Sequence, residues 1–112
     1  MLNQIVMVGR LVSDPQINET ENGKKVCNIT LAVSRSFKNE EGIYETDFIP
    51  VELWNSMVET TAEYCKKGDV VGIKGRLQRF SANDYTCNGH AILKIVAEKV
   101  TFLSSKPNKE KE

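Results

Sequence analysis

"KKVCNITLAVSR", residues 24–35, decides the fold. Apolar and small polar side chains alternate along it without a break. A period of two sends successive side chains to opposite faces of a β-strand. Cys27, Ile29, Leu31 and Val33 then form a buried row, and Asn28, Thr30, Ala32 and Ser34 a small, polar outer row. Upstream, "NQIVMVGRLV" (residues 3–12) is an apolar run with Gly9 inside it. A glycine there predicts a bulge or sharp bend, as where a sheet curls into a barrel. Between the two strands, "SDPQINETENG" (13–23) is a loop with turn signals at Asp14-Pro15 and Asn22-Gly23. Downstream, "SFKNEEGIYE" (36–45) reads as a charged hairpin tip turning at Gly42. "TDFIPVELWN" (46–55) runs back as a third strand, with Ile49, Val51 and Leu53 inward and Phe48, Pro50, Glu52 and Trp54 outward.

At "SMVETTAEYCKKG" (56–68) the period changes to that of a helix. Ser56 and Glu59 fit a capping box, and Val58, Ala62 and Cys65 recur on one face. Lys66 and Lys67 suit the negative end of the helix dipole, and Gly68 the residue after it. "DVVGIKGRLQRF" (69–80) alternates again, with Val71, Ile73, Gly75 and Leu77 facing in and Lys74, Arg76, Gln78 and Phe80 facing out. "SANDYTCNGH" (81–90) is a polar loop, and "AILKIVAEKVTFL" (91–103) a last strand, bulged because its apolar positions switch face. Three strands, a helix and two strands is the layout of the OB-fold, an all-β, five-stranded Greek-key barrel with one helix between strands three and four. The expected organisation is one domain, residues 1–103, and a short, charged, disordered tail, residues 104–112.

A chain of 112 residues can bury a core without staples, and its 15 basic and 15 acidic residues leave no net charge. Any basic surface must therefore come from placement rather than total charge. Cys27, Cys65 and Cys87 are odd in number and form no C-x-x-C pair, which fits a reduced, cytoplasmic compartment. Cys27 and Cys65 sit on apolar stripes and read as small core residues. No signal peptide or membrane-spanning run is visible. The only histidine, His90, belongs to no set that supports nucleophilic catalysis, so no enzyme is expected. Cys87 and His90 have the spacing of half a zinc site, but the other half would need the two buried-row cysteines. A structural turn is the preferred reading, with no metal and no cofactor.

The outer rows carry the functional signal. Phe48 and Trp54 on the third strand, Lys74, Arg76 and Phe80 on the fourth, and Arg35, Phe37 and Lys38 at the hairpin interleave rings with cations. Single-stranded nucleic acid needs this pairing, because cations track its phosphates and flat rings stack its unpaired bases. Duplex DNA hides its base faces. The competing explanation is that such rings pack under a loop, under the helix or in a subunit interface.

Several blocks together resemble the bacterial single-stranded DNA-binding protein family: "NQIVMVGRLVSDP", "NITLAVSRSFK", "FIPVELW", "AEYCKKGDVVGIKGRLQ" and the positions near Val100 and Phe102. The resemblance covers about residues 2 to 103. It implies an OB-fold that coats single-stranded DNA without catalysis, usually as a homotetramer, with a dimer as the alternative. It implies that Phe37, Phe48 and Trp54 stack bases, and that Arg10, Lys67 and Arg76 approach the strand. The family's further aromatic position falls on Ala82, and Phe80 on the same strand face is the expected substitute. Pro50 stands where a polar or basic residue is common, and should lie on an edge or locally unpaired stretch. Many members carry a long tail with an acidic tip that recruits replication and repair enzymes. A chain ending naturally at "KEKE" would lack that function; a truncated one carries no such implication.

The expected electrostatic track is Arg10, Arg35, Lys38, Lys67, Lys74, Arg76 and Arg79, although strict alternation points Arg79 away from Arg76. The expected role is sequence-independent coating in replication, recombination, repair or DNA uptake. The alternative is an OB-fold protein-interaction module similar to primosomal replication protein N, binding DNA weakly; neutral charge and Ala82 favour it.

Overall fold

A computed structural model describes residues 2–79, 86–87 and 90–103. Its elements are β1 (Ile5–Leu11), β2 (Asn18–Glu19), β3 (Lys25–Lys38), β4 (Tyr44–Trp54), α1 (Ser56–Tyr64), β5 (Val70–Arg79), β6 (Thr86–Cys87), β7 (His90–Ala91) and β8 (Leu93–Phe102). The long strands hydrogen-bond in the order β1-β5-β8-β4-β3, and β1 also pairs β3, which closes a five-stranded barrel. β2 extends β3, and β6 pairs β7 as a small hairpin. The expected barrel is the observed one, and among the described residues its single helix lies between the third and fourth long strands.

Closure depends on β1 changing partners. Residues 5–10 pair with β5, and Arg10 and Leu11 pair with β3. Gly9 sits at this crossing and is buried. A Cβ there would lie 2.9 Å from the Ala32 carbonyl oxygen and 2.9 Å from Val33 Cγ2, so only glycine lets the two strands approach. The β5–β8 ladder slips by one residue between Lys74 and Gly75, where a Cβ would collide with the Val96 carbonyl. Glu98 is the extra residue, so the inward row passes from Ile95 and Ala97 before it to Val100 after it, which is the face switch expected of the last strand.

Inside the barrel, Leu11, Cys27, Ile29, Leu31, Val51, Leu53, Val71 and Ile73 are buried, and Val58 of α1 plugs one end. The alternating rows of β3, β4 and β5 thus face as expected, with one exception. Leu77 is 40 % exposed, because β5 and β8 run past the point where β4 covers them. Pro50 pairs with Thr30 of β3, and the single β4–β8 pair among the described residues is Glu52–Val96. The strand beside Pro50 is therefore open on its second side, as its missing N–H requires.

The helix departs from expectation at both ends. Asn55 is the cap, at φ 61°, and no side chain caps the helix. Ser56 is already helical, so the capping box does not form, and Glu59 pairs with Lys25 of β3 instead. The helix stops at Tyr64, so Lys66 and Lys67 lie beyond its last turn and Gly68 belongs to the turn that follows. Thr61, rather than Ala62, joins Val58 and Cys65 on the buried face.

Candidate nucleic-acid interface

Paired residues of neighbouring strands share a face, so register groups the outer side chains. One transverse row runs from Arg10 of β1 through Ala32 of β3 to Phe48 of β4. The small Ala32 leaves the space between cation and ring open. A second row runs from Asn28 of β3 through Glu52 of β4 and Val96 of β8 to Arg76 of β5. Here Val96 is the floor of a groove walled by Lys24, Trp54, Asn55, Arg76, Gln78 and Lys94. The two rows are four residues apart on β4, or about 13 Å.

Phe37 and Phe48 are each 66 % exposed, so among the described residues no loop, helix or core covers either ring. Trp54 is half-buried along the groove wall, and its Nε1–H donates to Glu52 Oε1 at 2.7 Å. Lys94 Nζ lies 3.2 Å from the same oxygen. Arg76 donates to Gln78 at 3.2 Å and to Glu98 at 3.3 Å. The Arg76–Glu98 pair is largely exposed, and such pairs contribute about 0–1 kcal/mol, so Arg76 can exchange Glu98 for a phosphate at small cost.

The expected cations separate into groups. Arg10 is exposed, donates to the Gly68 carbonyl at 2.9 Å, and so borders the turn that carries the exposed Lys67. The backbone N–H of Lys67 donates to Asp14 Oδ1 at 2.7 Å, which pins that turn beside the first loop. Arg35 is held across the hairpin by Asp47 at 3.0 Å and Glu45 at 3.1 Å. The hydrogen bond from Arg35 holds the Asp47 carboxyl below its usual value. Arg35 therefore braces the β3–β4 ribbon with its charge matched. Lys38 lies 5.7 Å from the centre of the Tyr44 ring, at the tip of the same ribbon.

Lys74 pairs with Val6 on one side and Lys99 on the other, two strands removed from β4, and does not line the groove. Arg79 pairs with Leu93 and shares the face of Leu77, opposite Arg76. Phe80 and Ala82 lie outside the described residues, as do the side chains of Cys87 and His90. Lys94 and Lys24 were missed as site residues. Lys94 had a signal, being the single charged residue of "AILKIVA" (91–97).

Cys27 is buried, and burial pushes its thiol pKa up, which removes nucleophilic character. Among the described residues no three His, Cys, Asp or Glu side chains gather as a metal site, and no helix is long and apolar enough to cross a membrane. The arrangement offers rings, cations and a groove, which are the means of binding a flexible polyanion.

Residues 2–103 match the model of the single-strand binding protein family. The chain belongs to that family. It is 40 % identical over 110 residues to single-stranded DNA-binding protein B of Bacillus subtilis, covering 98 % of this chain and 97 % of that one. It is 43 % identical over 103 residues to the single-stranded DNA-binding protein of Halalkalibacterium halodurans, covering 92 % of this chain and 61 % of that one. The fold is similar to the crystal structure of the wild-type single-stranded DNA-binding protein from Thermus aquaticus. The TM-score is 0.78 at 22 % identity, over 95 % of this chain and 52 % of that one.

Proposed function

We propose that this family member coats single-stranded DNA without regard to sequence and without catalysis, in DNA replication, recombination, repair or uptake. The observation that carries the reading is the bare ring of Phe48 on the same barrel face as the Trp54–Arg76 groove, with a second bare ring, Phe37, further along the β3–β4 ribbon. Membership of the single-strand binding protein family and the names of its relatives support it. Phe37, Phe48, Trp54 and Phe80 stack bases. Arg76 holds a phosphate in the groove, Arg10 and Lys67 hold phosphates at the Phe48 row, and Lys38, Lys74 and Arg79 lie further out. Arg35 joins them when a phosphate displaces Asp47. Residues 1–103 form the binding domain and residues 104–112 a charged tail.

The working unit is a homotetramer in the cytoplasm. Val6 and Val8 are 72 % and 52 % exposed on β1, and Leu103 is 49 % exposed nearby, an apolar face whose burial between subunits would be favourable. Residues 5–9 of β1 also pair on one side only among the described residues, leaving a strand edge for a second copy.

The test is a gel-shift series with labelled oligo(dT) and a duplex of equal length at two salt concentrations. Binding of the single strand alone, weakened by salt with a log–log slope of about −0.7 per phosphate neutralised, supports the reading. Equal binding of both nucleic acids, or of neither, refutes it.

A further inference from the structure

The outer row of β4 places a carboxylate between its aromatic positions. Glu52 precedes Trp54 by two residues and so shares its face. Its Oε1 accepts the indole N–H at 2.7 Å and lies 3.2 Å from Lys94 Nζ. The cluster is mostly covered, with the Glu52 and Lys94 side chains 15 % and 21 % exposed. The ion pairs of Arg35, Arg76 and Lys25 are more open, every partner being at least 35 % exposed. Glu52 is thus built into the groove that Trp54, Lys94, Arg76 and Lys24 line, where a charge is poorly screened.

An oxygen that accepts one N–H and faces one ammonium has the partners that suit a phosphate oxygen. We propose that Glu52 is a positioning residue and an internal phosphate surrogate. It orients the Trp54 indole for stacking, and its carboxylate matches the charge of the Lys94 ammonium, so that the groove grips a strand more through its ring than through charge. The inference rests on the single-strand reading of the groove. Two consequences follow from the chemistry. A ring already held by its N–H loses less freedom when a base stacks on it. A cation already matched by a carboxylate releases no counterion when a strand binds, so the salt slope is shallower by about 0.7 than the groove's cations would give.

Glu52→Gln separates charge from shape, because the amide oxygen still accepts the indole N–H. For oligo(dT) the variant is expected to steepen the slope by about 0.7, which makes binding gain about fivefold on wild type per tenfold fall in salt. Its Trp54 emission in the free protein should match wild type. Lys94→Gln added to Glu52→Gln should restore the wild-type slope. Glu52→Leu removes the acceptor as well, and should lower the Trp54 fluorescence anisotropy and the quenching by oligo(dT), in protein that melts cooperatively. A Glu52→Gln slope and affinity equal to wild type, or weaker binding, would overturn the proposal while wild-type binding and quenching leave the single-strand reading standing. Wild-type protein that neither binds nor is quenched by oligo(dT) would overturn both.

Discussion

Gly9→Ala tests whether the barrel closes as described. The added methyl would sit 2.9 Å from the Ala32 carbonyl oxygen, 2.9 Å from Val33 Cγ2 and 3.0 Å from Leu31 Cβ. Ordinary carbon–oxygen contacts begin near ~3.3 Å and carbon–carbon contacts near ~3.5 Å, so all three neighbours are too close by about 0.4–0.6 Å. One of them is backbone and one is a Cβ, and neither can swing aside. Relief requires β1 and β3 to part at the closing seam, and overpacking of this kind costs about 1–3 kcal/mol. For a domain of this size that is a fall in Tm of roughly 4–20 °C. The internal control is Gly72→Ala on β5, whose nearest new neighbour is the flexible Leu103 Cδ1 at 3.4 Å. That change should leave stability within about 0.5–1 kcal/mol of wild type, helped by the lost chain entropy of glycine. Both variants would be melted by circular dichroism at one protomer concentration, since assembly shifts Tm. If Gly9→Ala melts with wild type, β1 does not cross at residue 9 and the closure described is wrong.

Phe48→Ala should weaken oligo(dT) binding by ~1–3 kcal/mol, about 5- to 150-fold, while Tm barely moves because the ring is exposed; a Tm loss without a binding loss would place the ring in a packing role. Lys67→Ala should make the salt slope shallower by about 0.7, and an unchanged slope would remove Lys67 from the track. The Asp47 carboxyl is depressed by Arg35, so its contribution to the β3–β4 ribbon is present above the ordinary carboxylate pKa and lost as pH falls through the lower folded value. NMR titration of Asp47 should therefore give a midpoint below 3.8, moved up by Arg35→Gln; an unmoved midpoint would deny the pair. Cys27 should resist alkylation in the native protein and react on unfolding, and fast native labelling would contradict its burial.

The barrel was legible because period-two alternation is a local signal. The rows of 24–35, 46–55 and 69–80 needed only the spacing of apolar residues, and the face switch in 91–103 announced the bulge at Gly75. The outward placement of Phe48, Trp54 and Arg76 followed from the same alternation. What alternation alone does not show depends on contacts between elements. Arg35 reads as a free cation until Asp47 and Glu45 are brought across the ribbon, twelve and ten residues along the chain. Lys74 shares the outward face of Arg76, but its neighbours are β1 and β8, which alternation cannot reveal. The helix start was misread because Ser56 and Glu59 have the right spacing while Asn55 takes the left-handed turn and Lys25 claims Glu59. Glu52 is the one acid in the outward row of 46–55, and alternation gives it no partner because Lys94 arrives 42 residues later.

Trp54 is the only tryptophan, so intrinsic fluorescence reports on the groove without a label. The direct measurement is titration of the protein with oligo(dT), and separately with duplex DNA, at low and moderate salt. Saturable quenching by the single strand alone, reversed as salt rises, is the predicted result. Emission unchanged at oligo(dT) concentrations that saturate binding would put the strand elsewhere on the barrel and contradict the Trp54 groove as the binding site.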